Sequence, residues 1–68
     1  MAHFLDPSWV ITYRKTERVN GKPVTRTFQC RLIDKTEEDV VVKFWAFVIN
    51  RFMSGNLLGI KIIRIEEQ

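Results

Sequence analysis

The dipeptide Asn20-Gly21 constrains this chain more than any other feature of its sequence. A two-residue type I′ turn needs positive φ at both central positions, and Asn-Gly is a pair that adopts it. A turn there makes residues 9–33 a β-hairpin in which Val19 faces Lys22. Tyr13 then stands beside Phe28, Ile11 beside Cys30 and Trp9 beside Leu32. Side chains alternate along a strand, so these pairs share one face. The other face carries Val10 with Arg31, Thr12 with Gln29, Arg14 with Thr27 and Thr16 with Thr25. An apolar face backed by a polar one is the pattern of an antiparallel sheet covered on one side.

Residues 36–53 read as a helix. Thr36-Glu37-Glu38-Asp39 offers a hydroxyl to the first free N–H groups and places acids at the positive end of the helix dipole. Arg51 lies in the last turn and Gly55 stands where a C-terminal cap belongs. Val41, Phe44, Trp45, Val48 and Phe52 form an apolar stripe at helical spacing and are the expected core face. Residues 57–66 read as a third strand, LLGIKIIRIE. Its alternation slips at Ile62-Ile63, which a β-bulge or apolar contacts on both faces would explain. The expected fold is α+β in the order β-β-α-β: a three-stranded antiparallel-type sheet packed on one face by a single helix. The 68 residues form one domain, with residues 1–8 expected to be a flexible N-terminal tail.

A domain this small buries a modest core, and chains of this length often rely on a staple or a second chain. Cys30 is the only cysteine and His3 the only histidine, so neither an internal disulfide nor a zinc site is expected. No cofactor pattern is present, since Gly55 and Gly59 have neither the spacing nor the context of a phosphate-binding loop. Cys30 points into the expected core, His3 lies near a terminus, and Glu37, Glu38 and Asp39 are accounted for as helix-start acids. No catalytic constellation remains, so the chain is expected to bind rather than to catalyse. Without an apolar stretch of membrane length or a signal-like N-terminus, a cytoplasmic setting is expected, and membrane binding is not.

Two surfaces stand out. On the helix, the polar residues Asp39, Lys43, Asn50 and Ser54 fill a stripe only about 60° wide at 100° per residue. Val42, Ala46, Ile49 and Met53 flank the expected core stripe on one side, and Val40 and Phe47 on the other. One sheet face cannot cover so much of a helix, so these flanks are candidate contacts for another protein or for a second copy in a homodimer. The second surface is the distal hairpin, where Arg14, Lys15, Arg18, Lys22 and Arg26 face a single acid, Glu17. Such an arm is expected to project past the helix, where charge reversal costs little. It is a candidate contact for nucleic acid or for an acidic surface, acting through charge rather than base stacking.

Trp9 at the hairpin's opening, the acidic helix start Thr36–Asp39, Trp45 within the helix and the closing Ile63-Arg64-Ile65 give one further pointer. In this layout the chain resembles small phage proteins that inhibit bacterial RNA polymerase. The resemblance implies a viral protein that binds a larger machine. It adds Arg64 to the protein-binding candidates, because inhibitors of that kind use arginines near the end of the last strand. Glu66 stands where a second arginine would be, and VVVKFWAFVI replaces the acidic, amphipathic helix of that family. The reading is therefore a non-enzymatic protein-binding module, an adaptor, subunit or inhibitor. Its alternative is a non-specific nucleic-acid binder that uses the basic hairpin.

Overall fold

Asn20 and Gly21 adopt φ values of 53° and 79°, the left-handed pair that a type I′ turn requires. In the computed structural model, which describes residues 6–52 and 55–68, this turn joins strands β1 (Ser8–Val19) and β2 (Lys22–Ile33). The register is the one set by the turn: Tyr13 pairs with Phe28, Ile11 with Cys30 and Trp9 with Leu32. Helix α1 (Glu37–Phe52) follows, and then strand β3 (Leu57–Glu67). β3 pairs antiparallel with β1, giving the sheet order β2-β1-β3 with the first strand in the centre.

The bulge falls at Ile63. Thr12 pairs with Arg64 and Tyr13 with Ile62, so Ile63 is the extra residue. Its insertion restores Ile65, Ile62 and Ile60 to the face shared with Ile11, Tyr13 and Lys15. A second shift at Leu58 carries the pairing on to Glu17 and Leu57. The Arg18 amide then donates to the Asn56 carbonyl (2.7 Å).

The core forms between this face and one side of α1. Ile11, Tyr13, Val40, Phe44 and Val48 are buried, and Trp9, Phe28, Leu32, Phe47, Phe52, Ile60, Ile62 and Ile65 pack around them. Phe44 meets the Tyr13 ring edge-on at 5.0 Å between centroids, and Tyr13 stacks on Phe28 at 5.7 Å. Burial, and next to it the Cys30 sulfur, push the Tyr13 phenol above its ordinary pKa.

The helix is rotated from the expected phase. Val40, expected on an outer flank, is fully buried, and Phe47, the other member of that flank, is half-buried against the core. Trp45, expected in the core, keeps 39% of its surface exposed. A clasp at the helix start accompanies this phase. The Lys43 ammonium donates to the Ile33 carbonyl (2.8 Å) and pairs with the Asp34 carboxylate (3.0 Å). With Lys43 tied to the end of β2, Val40, Phe44 and Phe47 face inward. Asp34 also accepts from the Trp9 indole at its carbonyl oxygen (3.1 Å), and its amide donates to the Pro7 carbonyl (3.2 Å). The Lys35 amide and the Lys43 ammonium both hydrogen-bond the Asp34 carboxylate and hold its pKa below the ordinary value.

The Thr36 hydroxyl accepts from the Asp39 amide (3.2 Å), the N-cap contact expected of this segment. Gly55 lies in the turn after the helix, past Met53 and Ser54. It stands in the turn that delivers Asn56 to Arg18. At the other end, the Gln68 amide donates to the Ser8 carbonyl (2.8 Å). Pro7 and Ser8, expected in a tail, are thereby held in the fold. His3, Met53 and Ser54 lie outside the described residues.

The observed helix phase separates two substitutions of equal chemistry. Val40→Asp places a charge against Ile11 and Phe44 and is expected to unfold the domain. Val42→Asp, on a side chain 69% exposed, is expected to change stability by no more than about 1 kcal/mol. Urea denaturation followed by circular dichroism checks both. Equal losses would put the helix phase in error.

Candidate functional site

Rotation of the helix brings a second apolar stripe to its outer side. Val42, Trp45, Ala46 and Ile49 recur at i, i+3, i+4 and i+7 and are all exposed. Val42 keeps 69% of its surface in solvent and Ile49 56%. This stripe lies opposite Val40, Phe44 and Val48, so α1 is apolar on both its inner and its outer side. Trp45 is braced edge-on by Phe44 at 5.3 Å, which fixes the inner part of its ring and leaves the rest to solvent. Of the candidate protein contacts, Val42, Ala46 and Ile49 are brought together here. Met53 lies outside the described residues. Val40 and Phe47 belong to the core. Arg64 lies on the far side of the sheet, 60% exposed at its side chain and paired with Glu66 (2.9 Å).

The basic hairpin does not form one surface. Cross-strand partners share a face, so Arg14, opposite Thr27, and Arg18, opposite Pro23, point away from the helix. Lys15, Lys22 and Arg26 belong to the helix side. Nor is the arm free along its length, because β3 accompanies β1 as far as Glu17. Only the tip beyond Arg18 is two-stranded.

Lys15 is the largest departure from expectation. Its side chain is only 12% exposed and its ammonium pairs with Glu17 (3.0 Å). The same ammonium lies 4.1 Å from the Phe52 ring centroid and 4.8 Å from that of Phe28. The aliphatic stem thus extends the core beneath the end of α1, while its charge is met by a carboxylate and two ring faces. These contacts offset the like-charge pairing with Arg26. Past the helix end, Lys15, Glu17, Val19, Val24 and Arg26 line a shallow depression of about 190 Å³. The helix ends there because its 16 residues span about 24 Å, whereas a 12-residue strand spans about 40 Å.

Cys30 is half-buried on the helix side of β2, and burial pushes its thiol above the ordinary value, away from the thiolate form. Among the described residues, no three His, Cys, Asp or Glu side chains gather where a metal could bind. No described helix is long and apolar enough to cross a membrane.

Two features escaped the reading of the sequence. Trp45 looked like core because it is apolar and at helical spacing from Val41 and Val48. Arg31 and Lys61 lie outside the hairpin arm, and only the pairing of all three strands shows which cations share a side. No family model, curated protein or solved structure matches the chain.

The surroundings of Lys15 set it apart from the other arm cations. Lys15→Glu loses both ring contacts and sets a carboxylate beside Glu17. It is expected to cost about 1–3 kcal/mol, while Lys22→Glu at the exposed tip stays within about 0.5 kcal/mol. Thermal unfolding of the two single variants measures the difference. Two equally stable proteins would mean that Lys15 is an ordinary surface cation.

Proposed function

We propose that this chain is a non-enzymatic protein-binding module that docks the outer stripe of α1 into an apolar groove of a partner. One observation carries the reading: Val42, Trp45, Ala46 and Ile49 are exposed together at the spacing by which a helix presents one face. The core needs only the opposite side of the helix, so the exposed parts of these side chains are not used by the isolated fold. Exposed apolar residues scattered singly are ordinary, but a row of this kind on one helix face is a mark of an interface. A braced tryptophan at its centre is the residue type that most often dominates binding energy. The reading as a binder also accords with Cys30, a half-buried and poorly ionised thiol unsuited to act as a nucleophile.

A second copy of the chain and a different protein are the two occupants, and one variant addresses both. Val42→Asp with Ile49→Asp is expected to fold as the wild type does and to lose association. Sedimentation velocity at micromolar concentration reads self-association. Capture from nuclease-treated extract reads a different partner. A wild-type monomer that captures nothing, or a double variant that associates as well as wild type, contradicts the proposal.

A further inference from the structure

The sheet has a second side, which no described element covers, and one sign of charge predominates on it. Arg31 stands opposite Val10, Arg64 opposite Thr12, and Thr27 and Lys61 on either side of Arg14. Arg18 extends the row toward the turn. All five cations are exposed, and Glu66 is the one acid whose register places it among them. This face therefore holds a surplus of four positive charges, while the chain as a whole carries +3. The remaining residues hold six cations and seven acids. The acids Asp34, Glu37, Glu38 and Asp39 lie at the start of the helix, on the other side of the sheet or at its end.

Solubility needs charge but not its segregation. Setting Arg14 beside Lys61 costs stability, because like charges directly across a sheet repel. An anion lying over the face would relieve that cost. The geometry points to the phosphate backbone of a nucleic-acid duplex as that anion. Four of the five cations are arginines, whose planar fork matches phosphate oxygens. They span the stretch from Val10 to Arg18, about 27 Å at the rise of a strand, a long row rather than a pocket. The face has no aromatic residue among its paired positions, so it offers single-stranded bases nothing to stack on. Contact is with phosphates, and so is indifferent to sequence. The Arg64–Glu66 pair is exposed at both ends, so phosphate can replace it at little loss. This surface is separate from the outer stripe of α1, and neither proposal depends on the other.

The test is fluorescence anisotropy of a labelled 20-base-pair DNA duplex across salt concentrations. Four phosphate contacts predict an affinity that falls about a hundredfold between 50 and 200 mM salt. Arg14→Gln with Arg31→Gln, which leaves the core untouched, should reduce that fall to about tenfold. Lys22→Gln with Arg26→Gln removes the same charge from the helix side and should leave the salt dependence near wild type. Circular dichroism confirms that each variant is folded. Absence of binding at 50 mM salt, or equal losses in the two double variants, overturns the site. Stronger binding to the single strand of the same length, or equal competition by polyglutamate at matched charge, overturns the assignment to a duplex backbone.

Discussion

A slip of one residue at the hairpin turn would invert every side chain of β1 and β2, and the rest of the structure depends on that slip not occurring. The left-handed φ values of Asn20 and Gly21 hold the register. They put Ile11, Tyr13 and Phe28 on the side where a helix can cover them, and Arg14, Arg18 and Arg31 on the side that stays open. β3 then inherits the arrangement through β1, its central neighbour. Because its own sequence does not alternate cleanly, it carries a bulge at Ile63 to keep Ile60, Ile62 and Ile65 in the core and Lys61 and Arg64 out of it.

The second constraint is size. One helix of 16 residues faces strands that outrun it by several residues at the turn end. Only three of its residues are buried, Val40, Phe44 and Val48, although most of its positions are apolar. A helix that is apolar all round belongs in the middle of a larger body. Here it lies on the surface, and the apolar side left outside is the strongest physical argument that the chain works in contact with another. Lys15 is the local repair where the helix runs out, a cation whose stem and charge together close the end of the core.

Much of this architecture was legible in the sequence. The turn, the hairpin pairs and the N-cap at Thr36 each follow from a local rule that agrees with the hydrophobic pattern around it, and the broken alternation at Ile62-Ile63 marked the place of the bulge without choosing it over apolar contacts on both faces. The rotation of the helix was not legible. Caps set where a helix begins, but VVVKFWAFVI offers apolar side chains at nearly every angle. The observed phase, which buries Val40 and leaves Trp45 partly exposed, goes with the bonds of Lys43 to Ile33 and Asp34, and these exist only once β2 has ended beside the helix. The basic residues show the same limit. Their number could be counted from the sequence, yet Arg14, Lys61 and Arg64 come from distant segments. They share a face only because β3 pairs with β1 rather than β2, a choice that no turn in the sequence dictates.

The central claim is that α1 has two apolar sides, one spent on the core and one offered outward. Solvent paramagnetic relaxation of methyl resonances, with a neutral gadolinium chelate and dilute protein, reads this directly. The account predicts strong broadening of the Val42 and Ile49 methyls while those of Val40 and Val48 stay sharp. Broadening of Val40 together with protection of Val42 would contradict it.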